Sequence, residues 1–178
     1  MKSSILSACL LLAGTAMAQQ GDDLFDFIPQ GGRTLAERAI ASGDADFLDL
    51  LATANDAPEW IDFLSGLDMS AGLTFDDWEL QTIADYLAYA GAIVDPTTLP
   101  ADGRDMMLAR CQSCHIVTVT VTQARSRDAW MATLGRTSHV DIPLSAAERA
   151  QLADYLAINA GLPIDVIPPE LRAGGASY

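Results

Sequence analysis

Apolar residues along this chain recur mostly three and four positions apart, the spacing of one face of a helix. In "DDWELQTIADYLAYAG" (76–91) Leu80, Ile83 and Leu87 keep that period, and in "AAERAQLADYLAINAG" (146–161) Leu152, Tyr155 and Leu156 do the same. Thr74 with Asp77, and Ser145 with Glu148, read as capping-box starts for these two helices. Asp56 and Pro58 predict a shorter helix carrying Trp60, and Gly103 begins another. One stretch dissents: "IVTVTVT" (116–122) is β-branched and alternates with period two, which predicts extended backbone. The expected fold class is all-α.

The helical pattern repeats. Both long helices contain "ADYLA" (84–88 and 153–157). Upstream of each lies a Trp, in "APEWIDFL" and "RDAWMATL", and further upstream a Gly-Arg pair, Gly32-Arg33 and Gly103-Arg104. The offsets are 71 for the glycines, 70 for the tryptophans and 69 for Tyr86 and Tyr155, which points to duplication of a unit of about 70 residues. "PTTLPADG" (96–103), with two prolines and a glycine, reads as the linker between units.

Half of the 178 residues are hydrophobic, enough for a packed core. The first 18 residues stand apart: Lys2, an apolar run from Ile5 to Ala13 and "AMA" at 16–18 predict a secretory signal cut between Ala18 and Gln19. That run falls short of the ~20 apolar residues that span a bilayer. "LSAC" (6–9) also resembles a lipobox that would lipidate Cys9, but only eight residues precede it. The expected domains are thus a signal peptide (1–18), a first unit (19–95) and a second unit with a Pro/Gly-rich tail (96–178). The tail "IPPELRAGGASY" (167–178) reads as having little core, an arm on a partner or a frayed end.

Losing Lys2 with the leader takes the net charge from −14 to −15. The acidity is lopsided: residues 19–95 hold 16 acids and 2 arginines, residues 96–178 hold 8 acids and 7 arginines. Such a field disfavours nucleic acid and anionic membranes; it either serves solubility or steers a partner with a basic surface.

Chemistry concentrates in "RCQSCH" (110–115). Cys111 and Cys114, three apart on a helix, present both thiols on one face, and His115 follows at once. C-x-x-C-H reads as covalent attachment of haem c, with His115 as the proximal iron ligand. A thiol-disulfide catalyst would call for a thioredoxin-like βαβ context. A zinc site built on Cys111, Cys114 and His139 would need His115 as its fourth ligand, in poor geometry. The first unit has "RAIASG" (38–43) at the matching place, with neither thiol nor imidazole, and is expected to hold no haem.

The order of helix, C-x-x-C-H, loop, short helix, ligand loop and closing helix over 101–161 resembles the class I cytochromes c; residues 30–92 follow it without the motif. The resemblance implies two cytochrome c-like helical units in tandem, the first degenerate. One departure is that "HIVTVTVTQARSRDAW" (115–130) lacks the Gly-Pro that such proteins carry after the histidine. The extended run and Arg-rich approach to a Trp loosely resemble cytochrome subunits of periplasmic sulfite dehydrogenases and haem domains of quinohaemoprotein amine dehydrogenases. That likeness implies partnership with a periplasmic dehydrogenase.

In class I cytochromes a methionine before the last helix takes the sixth iron position. Here that loop, "GRTSHVDIPLS" (135–145), has none but contains His139, which the resemblance makes the expected sixth ligand. Met131, beside Trp130, is its rival, and an open site the third alternative; Met106 and Met107 read as packing. Met69 in "GLDMSAG" falls near the ligand position of the first unit and reads as a relic or packing residue. The resulting expectation is a periplasmic monohaem cytochrome that transfers single electrons and is not itself an enzyme. The alternatives are a haem enzyme or sensor with an open sixth site for peroxide or nitric oxide, or the haem subunit of a larger dehydrogenase complex. A dihaem peroxidase would need two C-x-x-C-H motifs.

Overall fold

Ser145 caps its helix as the pattern predicts: its side chain accepts from Glu148 N while the Glu148 carboxylate accepts from Ser145 N. The computed structural model describes residues 23–66 and 73–172; the leader, its cleavage site, Cys9 and Met69 lie outside them. Among the described residues there are eight α-helices and no strand, so the fold is all-α. The helices are α1 (Gly32–Ser42), α2 (Ala45–Leu51), α3 (Ala57–Gly66), α4 (Asp77–Ala90), α5 (Gly103–Arg110), α6 (Thr118–Val121), α7 (Arg127–Leu134) and α8 (Ala146–Asn159). Short 3-10 turns cover Asp23–Phe25, Cys111–Ser113, Ile164–Val166 and Pro169–Leu171.

Three expectations are corrected. The N-cap of α4 is Asp76, two residues later than Thr74, because Asp76 and Glu79 form the capping box. Arg38 fixes that choice by donating to both Thr74 O (3.2 Å) and Glu79 Oε1 (2.6 Å), which holds Thr74 outside the helix. The run 116–122 is not extended: residues 118–121 form one helical turn, with Val117 and Val121 buried four apart in the core. Tertiary bonds outweigh its β propensity, since Gly161 N and Leu162 N both donate to Val121 O (2.8 and 2.9 Å). The tail is packed as far as described: Ile167 is 1% exposed, Leu171 lies against the same core, and Thr118 Oγ1 donates to Leu171 O.

Two buried clusters form. One gathers Leu35, Phe47, Leu51, Trp60, Leu64, Ile83 and Leu87; the other gathers Met106, Met107, Val117, Trp130, Leu152, Leu156 and Ile167. Helix α4 packs on α1 and α3, α8 packs on α5 and α7, and α4 and α8 pack on each other. The same close contact occurs in each half. A Cβ on Gly32 would lie 2.2 Å from Tyr86 Cβ, and one on Gly103 would lie 2.2 Å from Tyr155 Cβ, so only glycine lets the helices approach.

The halves also exchange parts. Tyr86 Oη donates to Pro100 O (2.9 Å), while Tyr155 Oη donates to Pro29 O (2.7 Å). Ile28, Phe25 and Phe27 pack into the second cluster, and Leu99 packs against the first. Between the two tyrosine helices Asn159 Nδ2 donates to Thr82 Oγ1 at 2.9 Å, in the interior. Beside them Arg33 pairs with Asp105 (2.9 Å).

Candidate functional site

Helix α5 is started by a capping box between Asp102 and Asp105 and runs straight into the 3-10 turn that begins at Cys111. Burial of Met106 and Met107 fixes the face that α5 turns to the core, and so the direction in which its end delivers the cysteines. Cys111 is half-buried and Cys114 exposed; His115 follows with its Nδ1 3.4 Å from Ile116 O. Burial pushes the Cys111 thiol up, Thr120 partly opposes this, and nearby Cys114 adds to it. A nucleophilic redox cysteine requires the opposite shift, so Cys111 is poorly suited to that role.

On the other wall, α7 is capped by Ser126 and buries Trp130 and Leu134; past its end the chain turns through 136–142 and carries His139. Ser138 Oγ lies 3.1 Å from His139 Nδ1, and the Nε2 side of the ring has no hydrogen-bond partner among the described residues. A cavity of about 470 Å³ is lined by Cys111, Cys114, His115 and His139 together. Val119, Leu134, Leu156 and Trp130 supply its apolar wall, and Arg110, Arg125 and Arg136 also border it. Met131 is not on that lining; it is half-buried and packs against the second core, as do Met106 and Met107. A second cavity, about 460 Å³, lies beside Trp78 and Asn159 and has no thiol or imidazole on its walls.

The residues fit a haem. The cavity falls in the ~300–1,000 Å³ range of cofactor sites and is mostly apolar with a few convergent donors. The donor set is two thiols that would attach the group and two imidazoles that would be available to ligate its iron. No group of three or more His, Cys, Asp or Glu side chains among the described residues is placed to hold a bare metal ion. A haem iron asks the protein for only two ligands, the porphyrin supplying four nitrogens. Trp130 Nε1 is buried without a hydrogen-bond acceptor among the described residues, a donor that a bound carboxylate would satisfy. Trp60 Nε1 is unpaired too, so the fit rests chiefly on the thiols and imidazoles.

The first half is built differently at its centre. Phe47, Trp60 and Phe63 meet there with ring centroids 6.1–6.4 Å apart, filling the interior with aromatic side chains. Sequence reasoning passed over several residues of the cavity wall, Thr120, Gln123 and Arg125 among them. Arg125 lies over the Trp130 ring at 5.3 Å and donates to Thr133 Oγ1 (2.8 Å), a pairing for which "QARSRDAW" gave only the hint of arginines near a Trp. No protein-family model matches the chain, and it matches no curated protein and no solved structure.

Proposed function

We propose that this chain is an exported c-type cytochrome with one covalently bound haem, passing single electrons to and from other proteins. The observation that carries this reading is the convergence of Cys111, Cys114, His115 and His139 on one cavity. Haem c, when bound, supplies a one-electron ferrous/ferric couple. Cys111 and Cys114 tether it as thioethers. His115 is the proximal ligand, and a hydrogen bond from its Nδ1 to a carbonyl orients the ring and raises its basicity; Ile116 O stands nearest to that nitrogen.

His139 is the sixth ligand in this reading, favoured over Met131 because it lines the cavity and Met131 does not. A second imidazole donates more strongly than a thioether and lowers the potential, so the protein is a low-potential carrier. Residues 19–95 are a haem-less unit of the same ancestry, supported by the matched Gly32–Tyr86 and Gly103–Tyr155 contacts. The leader directs the chain to the periplasm, where a dehydrogenase with a basic surface is the proposed partner. No helix among the described residues is long and apolar enough to cross a membrane.

The test is the visible spectrum of the exported protein, with and without denaturant. Haem that stays with the polypeptide after denaturation supports the reading; a colourless protein, or haem released on unfolding, overturns it. The native ferric form is expected to be low-spin without the methionine charge-transfer band, and His139→Ala to open the iron to carbon monoxide. An unaltered spectrum in that variant removes His139 from the iron.

A further inference from the structure

His139 sits on a stretch without regular structure, yet one side chain gathers that stretch. Arg149, in the first turns of α8, donates four hydrogen bonds, all to backbone carbonyls. Nη1 reaches Leu134 O (2.9 Å) and His139 O (3.2 Å); Nη2 reaches Val140 O (2.8 Å) and Ile142 O (2.7 Å). No carboxylate among the described residues pairs with it, and both terminal nitrogens are directed to carbonyls of α7 and the loop. Turn bonds from His139 N and Val140 N to Arg136 O (both 2.8 Å) draw the same segment tight.

We infer that Arg149 is the positioning residue that holds His139 at the sixth site of the iron. The inference rests on the cytochrome reading above. Four carbonyls fixed by one planar, rigid donor define the path of the chain on both sides of the histidine. Leu134 O belongs to the last turn of α7, where a cation also meets the negative end of the helix dipole. The loop, α7 and α8 therefore share one fastening point, and α8 is anchored in the core through Leu152 and Leu156. In the half without thiols, Leu80 stands at the corresponding place, 69 residues earlier, and packs against the first core. A leucine has no side-chain donor to make these bonds.

Lysine keeps the charge but presents three donors and no planar fork, so Arg149→Lys loses at least one of the four bonds. Three haem-loaded proteins are compared: wild type, Arg149→Lys and His139→Ala. The measurements are ferric spin state, reduction potential, carbon monoxide binding to the ferrous form, and hydrogen exchange at the amides of residues 139–142. In Arg149→Lys the open fraction is expected to rise by about tenfold or more, since each lost charge-assisted bond is worth about that factor. This should appear as a high-spin component, faster carbon monoxide binding and faster exchange at 139–142, with added imidazole restoring the low-spin spectrum. If His139→Ala opens the iron while Arg149→Lys keeps wild-type spin state, potential and ligand inertness, the clamp is overturned and the cytochrome reading stands. If His139→Ala changes nothing, or no covalent haem forms, the inference falls with the assignment beneath it. Should Arg149→Lys fold poorly, Arg149→Gln with the same exchange measurement replaces it; protection at 139–142 equal to wild type overturns the clamp.

Discussion

At Asp102 one carboxylate, 2% exposed, closes two helix N-termini that belong to different halves of the chain. Oδ1 accepts from Asp105 N (2.8 Å) at the start of α5, and Oδ2 accepts from Arg33 N (2.8 Å) at the start of α1. Gly31, the N-cap of α1, has no side chain to do this, and a Cβ there would meet Asp102 Oδ2 at 2.0 Å. Asp102→Ala therefore removes two caps and should cost about 1–4 kcal/mol in urea unfolding, at ~0.5–2 per cap. A loss within the scatter of a surface substitution refutes the shared cap. The pH dependence has a defined sign. Burial raises the Asp102 carboxyl above 3.8, with the N–H groups of Asp105 and Arg33 partly opposing it. The folded state then holds the proton more tightly than the unfolded chain, so the residue's contribution to stability falls as pH rises from 3.8 through the folded pKa. Measured against Asp102→Asn, which does not titrate, the wild type should lose relative stability across that window; a gain contradicts the sign.

Among the elements, those set by local chemistry were legible and those set by distant partners were not. The Ser145–Glu148 box, the i, i+3, i+4 faces of α4 and α8 and the C-x-x-C-H spacing each sit within a few residues of sequence. The start of α4 depended on Arg38, some 40 residues away, and the turn at α6 on the amides of Gly161 and Leu162. The alternation in "IVTVTVT" was real, but Val117 and Val121 satisfy a helical spacing equally well. At the site, His139 drew notice as a sixth ligand only through the resemblance, and Arg149 left no mark because its acceptors are carbonyls, which every residue type carries. The tail was misread because its apolar residues are few, although Ile167 is fully interior. Ile167→Ala should therefore cost ~2–5 kcal/mol in equilibrium unfolding, as for a buried aliphatic truncation. A change under about 0.5 kcal/mol would return this element to the class of surface substitutions.

For the whole molecule, charge and chemistry occupy different halves. Residues 19–95 carry a formal −14 and residues 96–178 about −1, yet the cavity lies in the second half, bordered by Arg110, Arg125 and Arg136. On the proposed reading, a basic partner would be attracted by the first half but would meet positive charge at the cavity itself, so steering and electron exchange would rely on different parts of the chain. The halves are tied by the crossed tyrosine bonds and the Arg33–Asp105 pair, so the acidic lobe is linked directly to the half that holds the cavity. Steering by that lobe requires reach through solvent, and the Debye length shrinks from ~30 Å at 0.01 M salt to ~8 Å at 0.15 M. With a small, strongly basic redox protein as probe, the bimolecular rate of electron transfer should fall by about tenfold or more across that range. Neutralising exposed acids of the first half, Asp46→Asn, Asp49→Asn and Asp62→Asn together, should flatten the salt dependence. Arg136→Gln, on the cavity border, should instead raise the rate by removing repulsion where the partner must come closest. A rate indifferent to salt in the wild type would strip the acidic half of any steering role and leave it solubility and packing alone.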